Sequence, residues 1–453
     1  MNTLLLRGGG VLRMDNAFTY IRKGFVLVEG KAIMDVGEMA AAPSDDSVGQ
    51  VIDTTGCLVT PGLINMHQHH WYNLLKGLSQ GFYLEDWVKK ILFPATKALS
   101  RNDYLVSMRL AAAEMLLSGT STFFNHSVKG VDYDWVSALA EVSESTGIRQ
   151  FFGKELRAKP HDGVARHRAE VEKLLQRYPH DLNHRFCVNL VFESGQHWLE
   201  SGATDVDLAN YAAKLVEKYH VPLSDHITGG TGFRSVKDFR LREGMGEVTW
   251  LLRHGLVTPQ TLLVHAPWID EGEVRVAAEC GASIVTCPPS SAFTAGGVAP
   301  LGAFMDGGIN VALGTDGPMV NDSVDMLDQM RECFLLMNAK YLTPAKIPIP
   351  QLWNMSTRNG AQALGFPGRL GELSPGTVAD VAVFDLSAPH YGGALNPPAN
   401  LILSGSSRRV KWVLVNGDIV VDPSGITTFD VLETVRESRE LAHDLAHRAG
   451  LLH

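Results

Sequence analysis

His67, Gln68 and His69, followed much later by His226, His265 and Asp316, are the side-chain types that hold a divalent metal ion and activate water. Each lies at the end of a short apolar run: Leu63-Ile64-Asn65-Met66, Val221-Pro222-Leu223-Ser224-Asp225, Thr261-Leu262-Leu263-Val264 and Val311-Ala312-Leu313-Gly314-Thr315. Strand ends on one face of a closed parallel sheet converge in space however far apart they lie in the chain. Within a strand, side chains alternate with period two, so a His-x-His pair sends both imidazoles to one side. A hydrolytic metal site is the economical reading.

The elements that must position these residues are legible as alternating strand-like and helix-like segments. Apolar runs at 62–66, 120–125, 148–153, 186–192, 221–226, 261–265, 282–287 and 309–314 make eight strands, the count of a (β/α)8 barrel. The widest gap follows the first run and holds two helices, near 84–98 and 102–118. Short Gly-punctuated runs before residue 57 and again after about residue 370 alternate as antiparallel strands do. Asn416-Gly417 between two of them is a hairpin turn signal. The fold class expected is α/β: a TIM barrel with a small β-sandwich domain built from both chain ends. The expected divisions are 1–57 and 369–425 for the sandwich, 58–368 for the barrel and 426–453 for a C-terminal surface helix.

Composition narrows the function classes. With 453 residues, 45% apolar and 20% charged, the chain can bury a large core. A net charge of -9, with no basic cluster longer than the stretch around Arg408 and Arg409, argues against nucleic acid and anionic membranes as partners. A small-molecule substrate is expected instead. No apolar stretch reaches membrane-spanning length and no secretory leader pattern opens the sequence, so a cytoplasmic protein is expected. Five scattered cysteines without Cys-x-x-Cys spacing suit a reducing compartment and exclude a thiolate zinc knuckle.

Val59-Thr60-Pro61-Gly62-Leu63-Ile64-Asn65-Met66-His67-Gln68-His69 resembles the opening signature of the amidohydrolase superfamily. Leu313-Gly314-Thr315-Asp316-Gly317 resembles the eighth-strand motif of its cytosine deaminase-like, triazine hydrolase branch. Met355 to Ala361 and Gly371 to Asp380 resemble that branch's closing segments, so the likeness spans nearly the whole chain. The resemblance implies one divalent ion, zinc first, with iron, manganese or cobalt as alternatives. It implies His67, His69, His226 and Asp316 as ligands, with Asp316 also carrying protons and His265 facing the water or the developing oxyanion. It also implies a homo-oligomer. The reaction expected is attack of hydroxide on a C–N or C–halogen bond of a small nitrogen-rich molecule, foremost the deamination of an N-heterocycle.

One departure bears on the substrate. Deaminating relatives carry Glu three residues after the fifth-strand His, where it protonates the ring nitrogen; here the segment is His226-Ile227-Thr228-Gly229. Losing a positioned general acid costs on the order of 10²–10⁴ in rate. Either another carboxyl replaces it, Glu155 and Glu193 being the candidates, or the substrate is an amide, urea or carbamate that needs no such acid. A remote alternative is a noncatalytic barrel scaffold. His126, Gln196 and His197, after the second and fourth strands, are candidate substrate contacts, as are Glu155 and Glu193. Lys154 falls on the third strand and reads as an ion-pair partner, not a bridge between two metals.

Overall fold

The structure, a computed structural model, describes residues 3–127, 129–194, 205–227, 233–344, 346–404 and 410–452. Eight parallel strands form its centre: β1 Leu63–Gln68, β2 Thr120–Ser127, β3 Arg149–Glu155, β4 Phe186–Val191, β5 Leu223–Ile227, β6 Thr261–His265, β7 Ser283–Thr286 and β8 Asn310–Leu313. They neighbour one another in chain order, as successive right-handed βα units dictate. Nearly every strand residue is buried, because helices cover the outside while side chains fill the inside. Alternation sorts the two faces. Phe124, Phe151, Cys187, Val191, Leu262, Val264 and Val285 pack together in the interior, and Phe123, Phe152, Val188, Leu263 and Ile284 pack under the helices.

The barrel closes where β8 meets β1. The amides of Thr315 and Asp316 both donate to the His67 carbonyl, at 3.1 and 2.9 Å. The Asn65 amide nitrogen donates to Thr315 Oγ1 at 2.8 Å, and Thr315 N donates back to Asn65 Oδ1 at 3.0 Å. A β-carbon on Gly314 would fall 2.7 Å from His67 Cβ, so only glycine lets the strands come this close. Lower down, the segment Met355 to Ala361 fills the seam: Ile64 N donates to the Ser356 carbonyl, and Asn359 Nδ2 donates to the Val311 carbonyl.

Strands from both ends build two further sheets. Ala32–Glu38, Gly24–Glu29, Thr3–Arg7 and Gln50–Asp53 form one; the other runs from Gly425–Ile426 through Asp418–Asp422, Val410–Val415, Val381–Asp385, Cys57–Pro61 and Gly10–Leu12 to Tyr20–Ile21. Leu6, Val26, Ile33, Val59, Val381, Val383 and Leu414 pack between them. Cys57–Pro61 belongs to this second sheet and leads through Gly62 directly into β1. The Asn416-Gly417 turn takes φ of 54° and 78°, as a two-residue hairpin requires. The C-terminal helix Val431–Arg448 packs on the helix Arg101–Leu117, tied by Arg448 to Asp103 and Arg109 to Glu437. Among the described residues, no helix is long and apolar enough to cross a membrane.

Arg149, wholly buried at the foot of β3, joins barrel and sandwich. Its guanidinium donates to both Asp380 oxygens at 3.2 and 3.1 Å, to the carbonyls of Leu182 and His184, and to Asn416 Oδ1. The Asp380 of the closing motif is thus a structural counter-ion. Asp380→Ala would strand that guanidinium in the interior, at a cost of about 3–5 kcal/mol. A lowered urea midpoint with unchanged metal content is expected; an unchanged midpoint would show that the clamp contributes nothing.

Candidate metal centre

Five side chains meet at the C-terminal rim of the barrel. His67 lies within β1 and His69 just beyond it, His226 comes from β5, His265 ends β6, and Asp316 follows β8. His226 Nε2 is 3.2 Å from His67 Nε2. Asp316 Oδ1 is 3.6 Å from His67 Nε2 and 3.4 Å from His69 Nε2, while Oδ2 is 3.7 Å from His265 Nε2. Side-chain exposure grades from 0% at His67 to 13% at His265, so solvent reaches the group from the His265 side.

Irregular backbone aims several of these groups. The β1–β2 register shifts between Asn65 and Gln68, which breaks simple alternation at His67. His265 and Asp316 adopt φ of 69° and 60°, a left-handed conformation that costs non-glycine residues of order 1–3 kcal/mol each.

Hydrogen bonds set the imidazole orientations. His69 Nδ1–H donates to the His126 carbonyl at 2.6 Å, and His226 Nδ1–H donates to the Glu193 carboxylate at 2.9 and 3.0 Å. Both rings thereby turn an Nε2 lone pair toward His67 and Asp316. Behind them His126 Nε2–H donates to Glu193 at 2.6 Å, and His126 Nδ1 accepts from Ser224. Ser290 Oγ donates to Asp316 Oδ2 at 2.5 Å, and the Gly317 amide donates to Oδ1 at 2.6 Å.

Burial sets the charge states. It depresses His69 and His265 to about 4 and holds His67 well below its usual value. Burial pulls His226 the same way, but the charge and hydrogen bond of Glu193 override it and raise the ring above the ordinary value. Burial would push the Asp316 carboxyl up, yet His67 and the neighbouring imidazoles hold it well below the carboxylate range. The result is a carboxylate among mostly neutral imidazoles.

The donors fit a metal ion. Ligands at about 2.0–2.1 Å from a tetrahedral centre stand about 3.3–3.4 Å apart, close to the separations of 3.2, 3.4 and 3.6 Å found here. The trios His67, His69, Asp316 and His67, His226, His265 each bring their ligand atoms within 4.8 Å of one another. Facing imidazole nitrogens at 3.2 Å can share a proton or hold a cation between them, and the convergence of His69 and Asp316 on the same His67 nitrogen fits the cation.

The sequence matches the model of the amidohydrolase family over residues 58–420. The chain belongs to the amidohydrolase family. It is 31% identical to a 5-methylthioadenosine/S-adenosylhomocysteine deaminase from Syntrophobacter fumaroxidans over 98% of both chains. Its fold is similar to that of a zinc-bound adenosine deaminase from Xanthomonas campestris, with a TM-score of 0.89 at 23% identity over 98% of each chain. A zinc-bound atrazine chlorohydrolase variant from Arthrobacter aurescens gives 0.87 at 24% identity, over 97% of this chain and all of the other. This amidohydrolase is therefore a metal-dependent hydrolase whose donor cluster fits a single divalent ion.

The other sequence-derived candidates fall in distinct places. His126 and Glu193 are sealed behind His226. Glu155 ends β3, bonded to Arg157 at 2.9 Å, its carboxyl pushed by burial to about 7. Lys154 points outward to Glu170 at 3.1 Å. Gln196, His197 and Gly229 lie outside the described residues. Sequence reasoning missed Ser290, which sits after β7 behind Pro288-Pro289, and Tyr72, whose ring stacks on His69 at 4.7 Å. Burial, with the charges of Asp316 and Glu193, holds the Tyr72 phenol well above its usual value.

Protons and metal compete for the same imidazole nitrogens, so metal content is expected to fall as the medium is acidified. His226, raised by Glu193, should take its proton first. Glu193→Gln should weaken affinity at neutral pH by roughly 10–100-fold, because the same carboxylate that favours a proton on His226 also orients the ring toward a metal. Metal analysis after dialysis between about pH 8 and pH 4 checks both; metal content that does not fall with acid, or an affinity unchanged in Glu193→Gln, would contradict the coupling.

Proposed function

We propose that this amidohydrolase deaminates an N-heterocycle hydrolytically, with one zinc ion held by His67, His69, His226 and Asp316. The observation that carries the reading is the division of labour at Asp316. Oδ1 faces the ligand histidines, while Oδ2 faces His265 and Ser290 on the solvent side. At these residues a zinc ion would supply hydroxide at neutral pH, by lowering the pKa of water from 15.7 to around 7. Asp316 takes the proton released there and delivers it to the leaving amine. His265 holds the attacking oxygen by a hydrogen bond, and its depressed basicity keeps it neutral at working pH. His126 and Glu193 act through His226, fixing its ring, and Glu155 closes the wall beside them. Gln196 and His197 are assigned to the pocket by their place after Glu193 in sequence. The 31% identity to a methylthioadenosine/S-adenosylhomocysteine deaminase supports an amino-bearing ring as substrate.

A second reading, hydrolysis of an amide, urea or carbamate, is favoured by Gly229, which offers no acid to a ring nitrogen. Both Glu193 oxygens are engaged by His226, one of them also by His126, and one Glu155 oxygen by Arg157. Neither carboxyl is an obvious replacement.

Zinc-loaded enzyme offered methylthioadenosine, adenosine, an aminotriazine and a phenylurea should release ammonia from one of the ring compounds. Amine release from the urea alone would establish the second reading. Asp316→Ala should lower kcat/KM by at least about 10²-fold; full activity in that variant would overturn the mechanism.

A further inference from the structure

Tyr72 lies in the turn His70–Leu75 that follows β1. Its ring stacks on His69 at an interplanar angle of 25°, and the rings of Trp71 and Trp87 meet it edge to face at 4.7 and 5.7 Å. The Cγ–Cδ2–Cε2 edge presses on Gly317, where a β-carbon would fall 1.9 Å from Tyr72 Cδ2. Glycine after Asp316 is therefore the condition for a six-membered ring standing beside the carboxylate. The side chain is held on three sides and is only 2% exposed.

Its hydroxyl is the exception. Buried Tyr104 passes its hydroxyl to Ser127 at 3.0 Å, but the Tyr72 hydroxyl makes no hydrogen bond to any described residue. Nor is it among the sealed, unpaired polar atoms, and it lies close enough to the site for the charges of Asp316 and Glu193 to act on it. A phenol in an aromatic box that finds no protein partner keeps its O–H free to donate to a ligand. A phenylalanine would pack there equally well but would offer no donor.

We propose that the Tyr72 hydroxyl donates a hydrogen bond to the ring nitrogen beside the attacked carbon, in place of the carboxyl that position 229 lacks. This rests on the deaminase reading above. Water oxygen bonds to the ring carbon, and the electron pair of the C=N bond moves onto the nitrogen, where the Tyr72 O–H stabilises it. The proton lost by the water travels on Asp316 to the amino group, the C–N bond breaks and ammonia leaves. The electron pair then returns to the ring, and the product departs as its hydroxy tautomer. Tyr72 keeps its own proton throughout, so a neutral phenol suffices where a titrating acid would otherwise be needed. Stabilisation of charge at that nitrogen belongs to the transition state, so its loss should appear in kcat more than in KM.

Tyr72→Phe keeps the ring on His69 and the fit against Gly317 while removing the donor. Zinc content and thermal midpoint should match wild type. The kcat for ammonia release from methylthioadenosine or adenosine should fall by about 10²-fold, as for one oxyanion-hole donor. Binding of purine riboside, which can add water but has no amine to lose, should weaken in parallel when followed by titration calorimetry. Wild-type enzyme that releases ammonia, with Tyr72→Phe within about threefold of it in kcat and in riboside affinity, overturns the Tyr72 role and leaves the deaminase reading intact. Wild-type enzyme that releases no ammonia from any ring compound and binds no purine riboside overturns both.

Discussion

The carbonyl of His67 accepts two amides, from Thr315 and Asp316, and the rest of the site depends on that pair of hydrogen bonds. They draw the end of β8 against β1, which closes the barrel and at once places a carboxylate beside a histidine 249 positions away in sequence. Gly314 makes the approach sterically feasible, and the Asn65–Thr315 pair locks its register. Closure and catalysis share one joint: a rim that sprang open would lose the metal donors before it lost the core. The segment around Ser356 and Asn359 seals the same seam from below, which explains why a closing motif far from the chemistry accompanies the metal-binding one.

Electrostatics follow from this closure. Burying five polar groups without water would be costly, and each imidazole answers by staying neutral, except His226, which Glu193 stabilises in its charged form. Once the proton on His226 Nε2 is displaced, as metal binding requires, a ring whose Nδ1–H is committed to Glu193 has one thing left to offer, the Nε2 lone pair. The chain of His126, Glu193 and His226 therefore gives direction to a ligand. A carboxylate with both oxygens engaged in this way orients His226 and is not free to face a substrate.

Much of the architecture was legible in the sequence. All eight barrel strands were expected within a few residues of where they lie, because buried parallel strands are short apolar runs and the segments between them have helical period. That the five candidate residues meet was legible because barrel topology sends every strand end to one rim. What was not legible has a common character. Ser290 and Tyr72 belong to turns whose direction no periodicity encodes, and their partners, Asp316 and His69, are reached only through space. Glu193 could be named as a carboxyl near the site, but whether it faced substrate or a histidine depended on β4 and β5 lying side by side.

By itself, the sequence determined the barrel, the sandwich strands from both ends, the histidines and aspartate offered at the strand ends and the glycine at position 229, since composition, period and residue identity are local properties. Only the tertiary structure decided which lone pairs converge and which carboxylate is engaged. Those depend on a register shift at Asn65, on left-handed backbone at His265 and Asp316, and on strand contacts between distant segments. Hydrogen bonds act over about 3 Å, and no pattern along a chain specifies positions in space that finely.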